Sequence, residues 1–134
     1  MDRSIICRLV WVLIAAMLAL NASAQLATRK DSANGVTVTV TPANLAPGAK
    51  TWDFSIVLDT HSQDLSDDLA KSAVLVDERG NESTPIAWEG AAPGGHHRRG
   101  VLKFSPLEPR PKTLELRLNR PGEARPRIFR WNLE

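Results

Sequence analysis

From Val36 onward, apolar and polar residues alternate along the chain instead of recurring every three or four positions. Turn residues interrupt the alternation about every eight to twelve positions, which is the pattern of short, half-buried β-strands. Val36, Val38 and Val40 interleave with Thr37, Thr39 and Thr41, a β-branched run with one apolar and one polar face. Trp52, Phe54, Ile56 and Leu58 alternate with Asp53, Ser55 and Asp59, and Val57 alone falls on the polar side. A third strand is expected over residues 72–77. The turn Glu78, Arg79, Gly80, Asn81 then leads into a fourth over 82–88, where Pro85 lacks the N–H that a central strand needs and so marks an edge. A fifth covers 100–104. The sixth sets Leu114, Leu116 and Leu118 against Glu115 and Arg117, and the last sets Phe129, Trp131 and Leu133 against Arg130 and Asn132. Helix is expected only as a turn or two within 62–71, with Ser66 as its cap.

About seven short strands, joined by proline-bearing connections at 42–48 and 106–111, predict an all-β fold. The expected architecture is an immunoglobulin-like, two-sheet antiparallel β-sandwich over residues 35–134, with a small closed barrel as the alternative. Residues 25–34 (QLATRKDSAN) are polar and without period, and are expected to form a flexible lead.

The first 24 residues follow another logic. Arg3 and Arg8 precede an apolar stretch from Leu9 to Leu20, and Ala22, Ser23 and Ala24 follow it. A positive start, an apolar run too short for the roughly 30 Å of a bilayer core, and small residues at the end predict a secretory signal peptide over 1–24, cleaved after Ala24. An uncleaved N-terminal anchor is the alternative. Cys7 lies ahead of the apolar run, so it is not placed to carry a lipid at the cleavage site. The expected address is extracytoplasmic, periplasmic or secreted, with no membrane span once the signal is removed.

Composition narrows the function classes. The chain has 134 residues, 43% hydrophobic and 24% charged, which fits one globular domain and excludes collagen, coiled coil, disulfide mini-protein and disordered chain. Removing Asp2, Arg3 and Arg8 with the signal takes 17 basic and 15 acidic residues to 15 and 14. The charges are mixed along the chain with no basic tract, so nucleic acid is not an expected partner. The single Cys (Cys7) and both Met residues (Met1, Met17) lie in the segment removed. Soft thiolate or thioether Cu(I) sites and thiol catalysis are therefore excluded for the exported part.

Antiparallel strands alternate their connections between the two ends of a sandwich. The connections near 60–71, 89–99 and 119–126 then share one end, which holds all three histidines, His61, His96 and His97, together with Asp59, Asp64, Asp67, Asp68, Glu89 and Arg120. Imidazoles and carboxylates on one rim are the ligand types that Zn(II) and Cu(II) prefer, and His61, His96, His97, Asp59 and Asp64 form the candidate metal set. Gly94 and Gly95 allow the sharp bend that would aim His96 or His97 inward. The bland reading is that each histidine hydrogen-bonds a carbonyl or a carboxylate and fixes loop conformation. Asp64, Asp67 and Asp68 are expected on a solvated face, because their spacing is not that of a calcium loop. Arg98 is the candidate anion contact, with an internal carboxylate as its structural alternative. Trp52 and Trp88 are expected to pack in or near the core. Asp59, His61 and Ser62 have the residue types of a serine triad, but their closeness on one strand end turns alternate side chains apart. No nucleophile elbow, phosphate loop or zinc-protease helix is present, and no enzyme is expected.

The segments Leu58-Asp59-Thr60-His61-Ser62, Val76-Asp77-Glu78-Arg79-Gly80-Asn81, Trp88-Glu89-Gly90, Pro93-Gly94-Gly95-His96-His97-Arg98 and Gly100-Val101-Leu102-Lys103-Phe104 resemble a family of small exported or membrane-anchored prokaryotic β-sandwich domains. The likeness runs from about residue 35 to the end, with the THS and PGGHHR segments as its most specific parts. It implies a sandwich and an extracytoplasmic address, and no reaction. In size, address and histidines the chain is also similar to small periplasmic copper-binding sandwiches. Those place a histidine at the mature N-terminus or use methionine-rich loops, whereas this chain would begin with Gln25 and has no Met beyond Met17. The expected function is thus an exported, non-enzymatic binding or accessory domain that meets a protein partner or a metal ion, Zn(II) or Cu(II), through its loop histidines. A purely structural interaction domain is the alternative.

Overall fold

The computed structural model describes residues 26–134, so the signal segment expected over 1–24 lies outside the described residues. The alternating runs become nine strands among the described residues: β1 (Arg29–Ala33), β2 (Val36–Asn44), β3 (Trp52–Thr60), β4 (Ala73–Asp77), β5 (Glu82–Ser83), β6 (Ala87–Gly90), β7 (His97–Phe104), β8 (Thr113–Leu118) and β9 (Arg127–Asn132). One short helix, α1 (Leu69–Ser72), precedes β4. The strands form a five-stranded sheet, β1-β2-β3-β7-β6, and a four-stranded sheet, β5-β4-β8-β9, with every neighbouring pair antiparallel. The order β2-β3-β7-β6 is the A-B-E-D order of an immunoglobulin sandwich, and β4-β8-β9 is its C-F-G sheet.

Period-two alternation decides which residues enter the core. Val36, Val38, Val40, Trp52, Phe54, Ile56, Leu58, Leu102 and Phe104 face inward from the first sheet. Ala73, Leu75, Leu114, Leu116, Leu118, Phe129 and Trp131 meet them from the second. Phe54 sits at the centre, edge-on to Phe104 with centroids 5.7 Å apart and tilted against Trp131 at 5.6 Å.

Three sequence expectations change. The lead over 25–34 is not wholly flexible, because 29–33 form β1, paired residue for residue with β2 from Arg29↔Val40 to Ala33↔Val36. Asn34 (φ 50°) and Gly35 (φ 75°) both take positive φ, which closes a two-residue hairpin whose twist suits the flanking strands. The expected fourth strand divides: Glu82 and Ser83 pair with β4 in one sheet, whereas Ala87 to Gly90 pair with β7 in the other. The crossing falls at Pro85, whose missing N–H ends the first ladder, and Ile86 N starts the second by donating to Lys103 O at 2.8 Å. Ser66 does not cap the helix; Asp68 holds that position without a side-chain bond, and its carbonyl accepts from Lys71 N and Ser72 N.

The connections segregate as alternation requires. Residues 61–68, 91–96 and 119–126 and the Asn34-Gly35 turn share one end, hereafter the loop end. Both ends of the described chain lie at the other: Trp131 Nε1 donates to Ala27 O at 2.7 Å, and the Lys112 ammonium stands 3.7 Å from the Glu134 carboxylate.

Candidate functional site at the loop end

Two loops are zipped together before any side-chain chemistry is considered. Thr60 N donates to His96 O (2.9 Å), Leu65 N to Gly95 O (3.0 Å) and Gly94 N to Leu65 O (2.8 Å). Asp64 Oδ1 accepts from Gly95 N at 2.8 Å, so this carboxylate, a member of the candidate metal set, fastens one loop to the other. Gly94 (φ 118°) and Gly95 (φ 74°) provide the bend.

Below these loops lies a layer of buried charge. Arg98, expected as a surface anion contact, is instead only 2% exposed, because it falls on the inward face of β7. Its Nη1 donates to Asp67 O (2.6 Å) and Leu65 O (3.2 Å), and Nη2 to Ala91 O (3.2 Å). The guanidinium carbon stands 5.7 Å from the Trp88 ring centroid, and Nε has no protein partner. Burial pulls its pKa down, opposed by the charges of Asp67 and Asp68. The Trp88 indole packs against the paired Gly90 and Gly100, with its Nε1 donating to Ala91 O at 3.0 Å.

Asp67, expected on a solvated face, is wholly buried. Arg120 meets it through two bonds and passes Nη1 to Glu123 Oε1 at 3.1 Å. Glu123 in turn accepts from Arg127 Nε (3.0 Å) and Nη2 (2.6 Å). Arg127 also reaches the first sheet, donating to Val36 O (2.8 Å), Ala33 O (2.7 Å) and Asp31 O (3.3 Å). Hydrogen bonds from Arg127, ahead of the opposing effect of burial, hold the Glu123 carboxyl below the usual range, and the reciprocal bond raises Arg127. The alternating chain of charges spans both sheets and makes the loop end rigid. Arg120 was visible on the rim from the sequence. The roles of Glu123 and Arg127 were not, since nothing local marks a carboxylate as buried.

The histidines stand above this layer. His97 Nδ1 lies 2.5 Å from Asp59 Oδ1, in a directly opposed pair of β7 and β3, and the two side chains are 72% and 45% exposed. His61 and His96 are exposed loop residues, and the His96 carbonyl accepts from Thr60 N. Among the described residues no three His, Cys, Asp or Glu side chains already converge as a metal-holding group. Two surface grooves of about 540 and 520 Å³ flank the same end, lined by Asp31, Asn34, Gln63, Glu123 and Arg125 among others, and neither lining includes a histidine. Trp52 and Trp88 both pack inward, Trp52 buried and Trp88 against the core. No helix among the described residues is long and apolar enough to cross a membrane.

Compared with known proteins, the chain matches no family model, no curated protein and no solved structure.

Proposed function

We propose that the chain is an exported, non-enzymatic immunoglobulin-like binding domain that works through its loop end, with a divalent transition metal, Zn(II) or Cu(II), as the ligand its exposed histidines suit. The observation that carries this reading is the Asp59 and His97 pair: an exposed imidazole oriented by a carboxylate, on a loop end stiffened from below by paired charges. An imidazole restrained in this way loses less freedom on ligation than one on a loose loop. The signal-like residues 1–24 support export.

A second reading has the same contact in its favour. Asp59 and His97 join β3 to β7, so the histidine can serve as a structural tie in a domain that binds a protein partner. Calorimetric titration of the purified protein, without an added histidine tag, separates the two readings. One-to-one binding of Zn(II) or Cu(II) that is lost in His61→Ala and in a His96→Ala, His97→Ala double variant supports the metal reading. An absence of binding, with a lower melting temperature in the variants, supports the structural one.

A further inference from the structure

We infer that the outer face of the five-stranded sheet is a second binding surface, which takes a linear anionic polysaccharide lengthwise between Lys30 and Arg99; it goes beyond the loop-end reading and needs no metal. Register builds the face. Lys30 is opposite Thr39, Thr39 is opposite Val57 and Val57 is opposite Arg99, so one row crosses β1, β2, β3 and β7 with an exposed cation at each end. Directly opposed residues put their side chains on the same side of a sheet, and this side is turned from the core, since Val38, Val40, Ile56, Leu58 and Arg98 are buried on the other. Three strand spacings of about 4.8 Å set the two cations about 14 Å apart at the backbone. Between them the floor is short-chained and half-buried: Thr37, Thr39 and Thr41 on β2, Ser55 and Val57 on β3, and Val101 on β7. Long side chains on the two walls and short ones between make a shallow trough that follows β2 and β3, of 9 residues each, for about 30 Å.

Ion pairing sets the charge of the trough. Asp59 is taken by His97, and Asp53 and Glu89 lie 3.6 and 3.7 Å from the Lys103 ammonium. Among the described residues the side chains of Lys30 and Arg99 meet no carboxylate, so the face keeps two uncompensated positive charges, and an anion is its complement. The hydroxyls select the kind of anion. Ser32 and Thr37 bond each other, as do Thr28 and Thr41, whereas the Thr39 and Ser55 hydroxyls have no partner among the described residues and can exchange hydrogen bonds with sugar hydroxyls. A protein partner would need a pocket for an aromatic or aliphatic anchor, and Val57 and Val101 on an even floor offer none. A single-stranded nucleic acid would need rings on which to stack, and a duplex would need more than two free cations. A chain of uronate sugars meets both walls at once, its carboxylates at the Arg99 fork and the Lys30 ammonium and its hydroxyls on the floor.

The test is titration of the purified, untagged protein with polygalacturonate, a linear uronate polymer, beside neutral dextran and poly-glutamate of similar length. A chelator is present throughout, so that the result stands apart from any metal binding at the loop end. Of the three polymers only polygalacturonate should bind, and more weakly as salt rises from about 0.02 to 0.3 M. Lys30→Gln and Arg99→Gln should each weaken binding about threefold to tenfold with the melting temperature unchanged, because both side chains are exposed. Lys50→Gln and Arg125→Gln, which remove exposed cations away from this face, should change it less than about twofold. The inference is overturned if polygalacturonate does not bind in low salt, or if the Lys50 and Arg125 variants lose as much as the Lys30 and Arg99 variants. It is overturned equally if poly-glutamate binds as tightly through the same two residues, which would make the face a site for acidic protein.

Discussion

Asp67 and Arg120 meet edge to edge, Oδ2 to Nε and Oδ1 to Nη2 at 2.9 Å each, and neither side chain is more than 4% exposed. They stand 53 positions apart in the sequence, with most of the second half of the fold between them, so this pair clamps the 61–68 loop to the 119–126 loop. Replacing one partner leaves the other charge buried and alone. Asp67→Leu or Arg120→Met alone should destabilise the domain by about 3–5 kcal/mol, whereas the two together should recover much of the loss, because the pair's desolvation is then avoided as well. Urea unfolding of the three variants checks this, and a fully additive double variant would refute the coupling.

Acid should loosen the same end. Glu123 is held below the ordinary glutamate range, chiefly by its hydrogen bonds from Arg127. Its unfolded form therefore binds a proton more readily than its folded form, so its stabilising contribution is complete above the unfolded value, about 4.3, and is lost as pH falls through the folded one. Glu115, lowered by hydrogen bonds from Arg130 and then Arg117, adds in the same direction. Arg127 is raised from an already high value, so its contribution persists through neutral pH and fades only in strong alkali. Melting temperatures measured between about pH 6 and pH 2.5 should fall, and Glu123→Gln should flatten that slope while lowering stability at neutral pH.

A methyl group at Gly100 has nowhere to go. Its Cβ would stand 2.6 Å from two ring carbons of Trp88, and at Gly90 it would stand 2.5 Å from Gly100 Cα. Gly100→Ala should cost about 1–3 kcal/mol as Trp88 is pushed aside, with a change in tryptophan fluorescence. An unchanged emission and midpoint would mean that the indole shifts freely.

Arg127→Lys keeps the charge and loses the fork. One ammonium cannot replace the donors to Val36, Ala33 and Asp31 carbonyls together with both contacts to Glu123. Amides of β1 should then exchange faster while those of β3 and β7, central in the sheet, keep their protection. Hydrogen exchange read residue by residue gives the answer, and uniform acceleration would make Arg127 a global rather than a local tie.

The long strands were legible because Val36 to Leu58 and Leu114 to Trp131 bury every second side chain, and that periodicity is written locally. β1 was not, since RKDSA places no large apolar side chain in the core and is held by backbone pairing and by the reach of Arg127 and Arg29. Asn34-Gly35 was its one local mark. The sequence points to a solvated face for Asp67 and an anion contact for Arg98, because charged residues usually lie at the surface. Their burial depends on carbonyls and guanidinium groups 31 to 53 residues away. The gathering of the histidine loops at one end followed from antiparallel alternation alone. Which of His96 and His97 joins Asp59 needed the register, where a slip of one residue exchanges the faces.

Leu26 and Glu134 leave the sandwich at the pole opposite the histidines. A fusion partner, a surface linkage or a fluorescent label joined to the chain just ahead of Leu26 or just after Glu134 therefore leaves the loop end pointing into free solution.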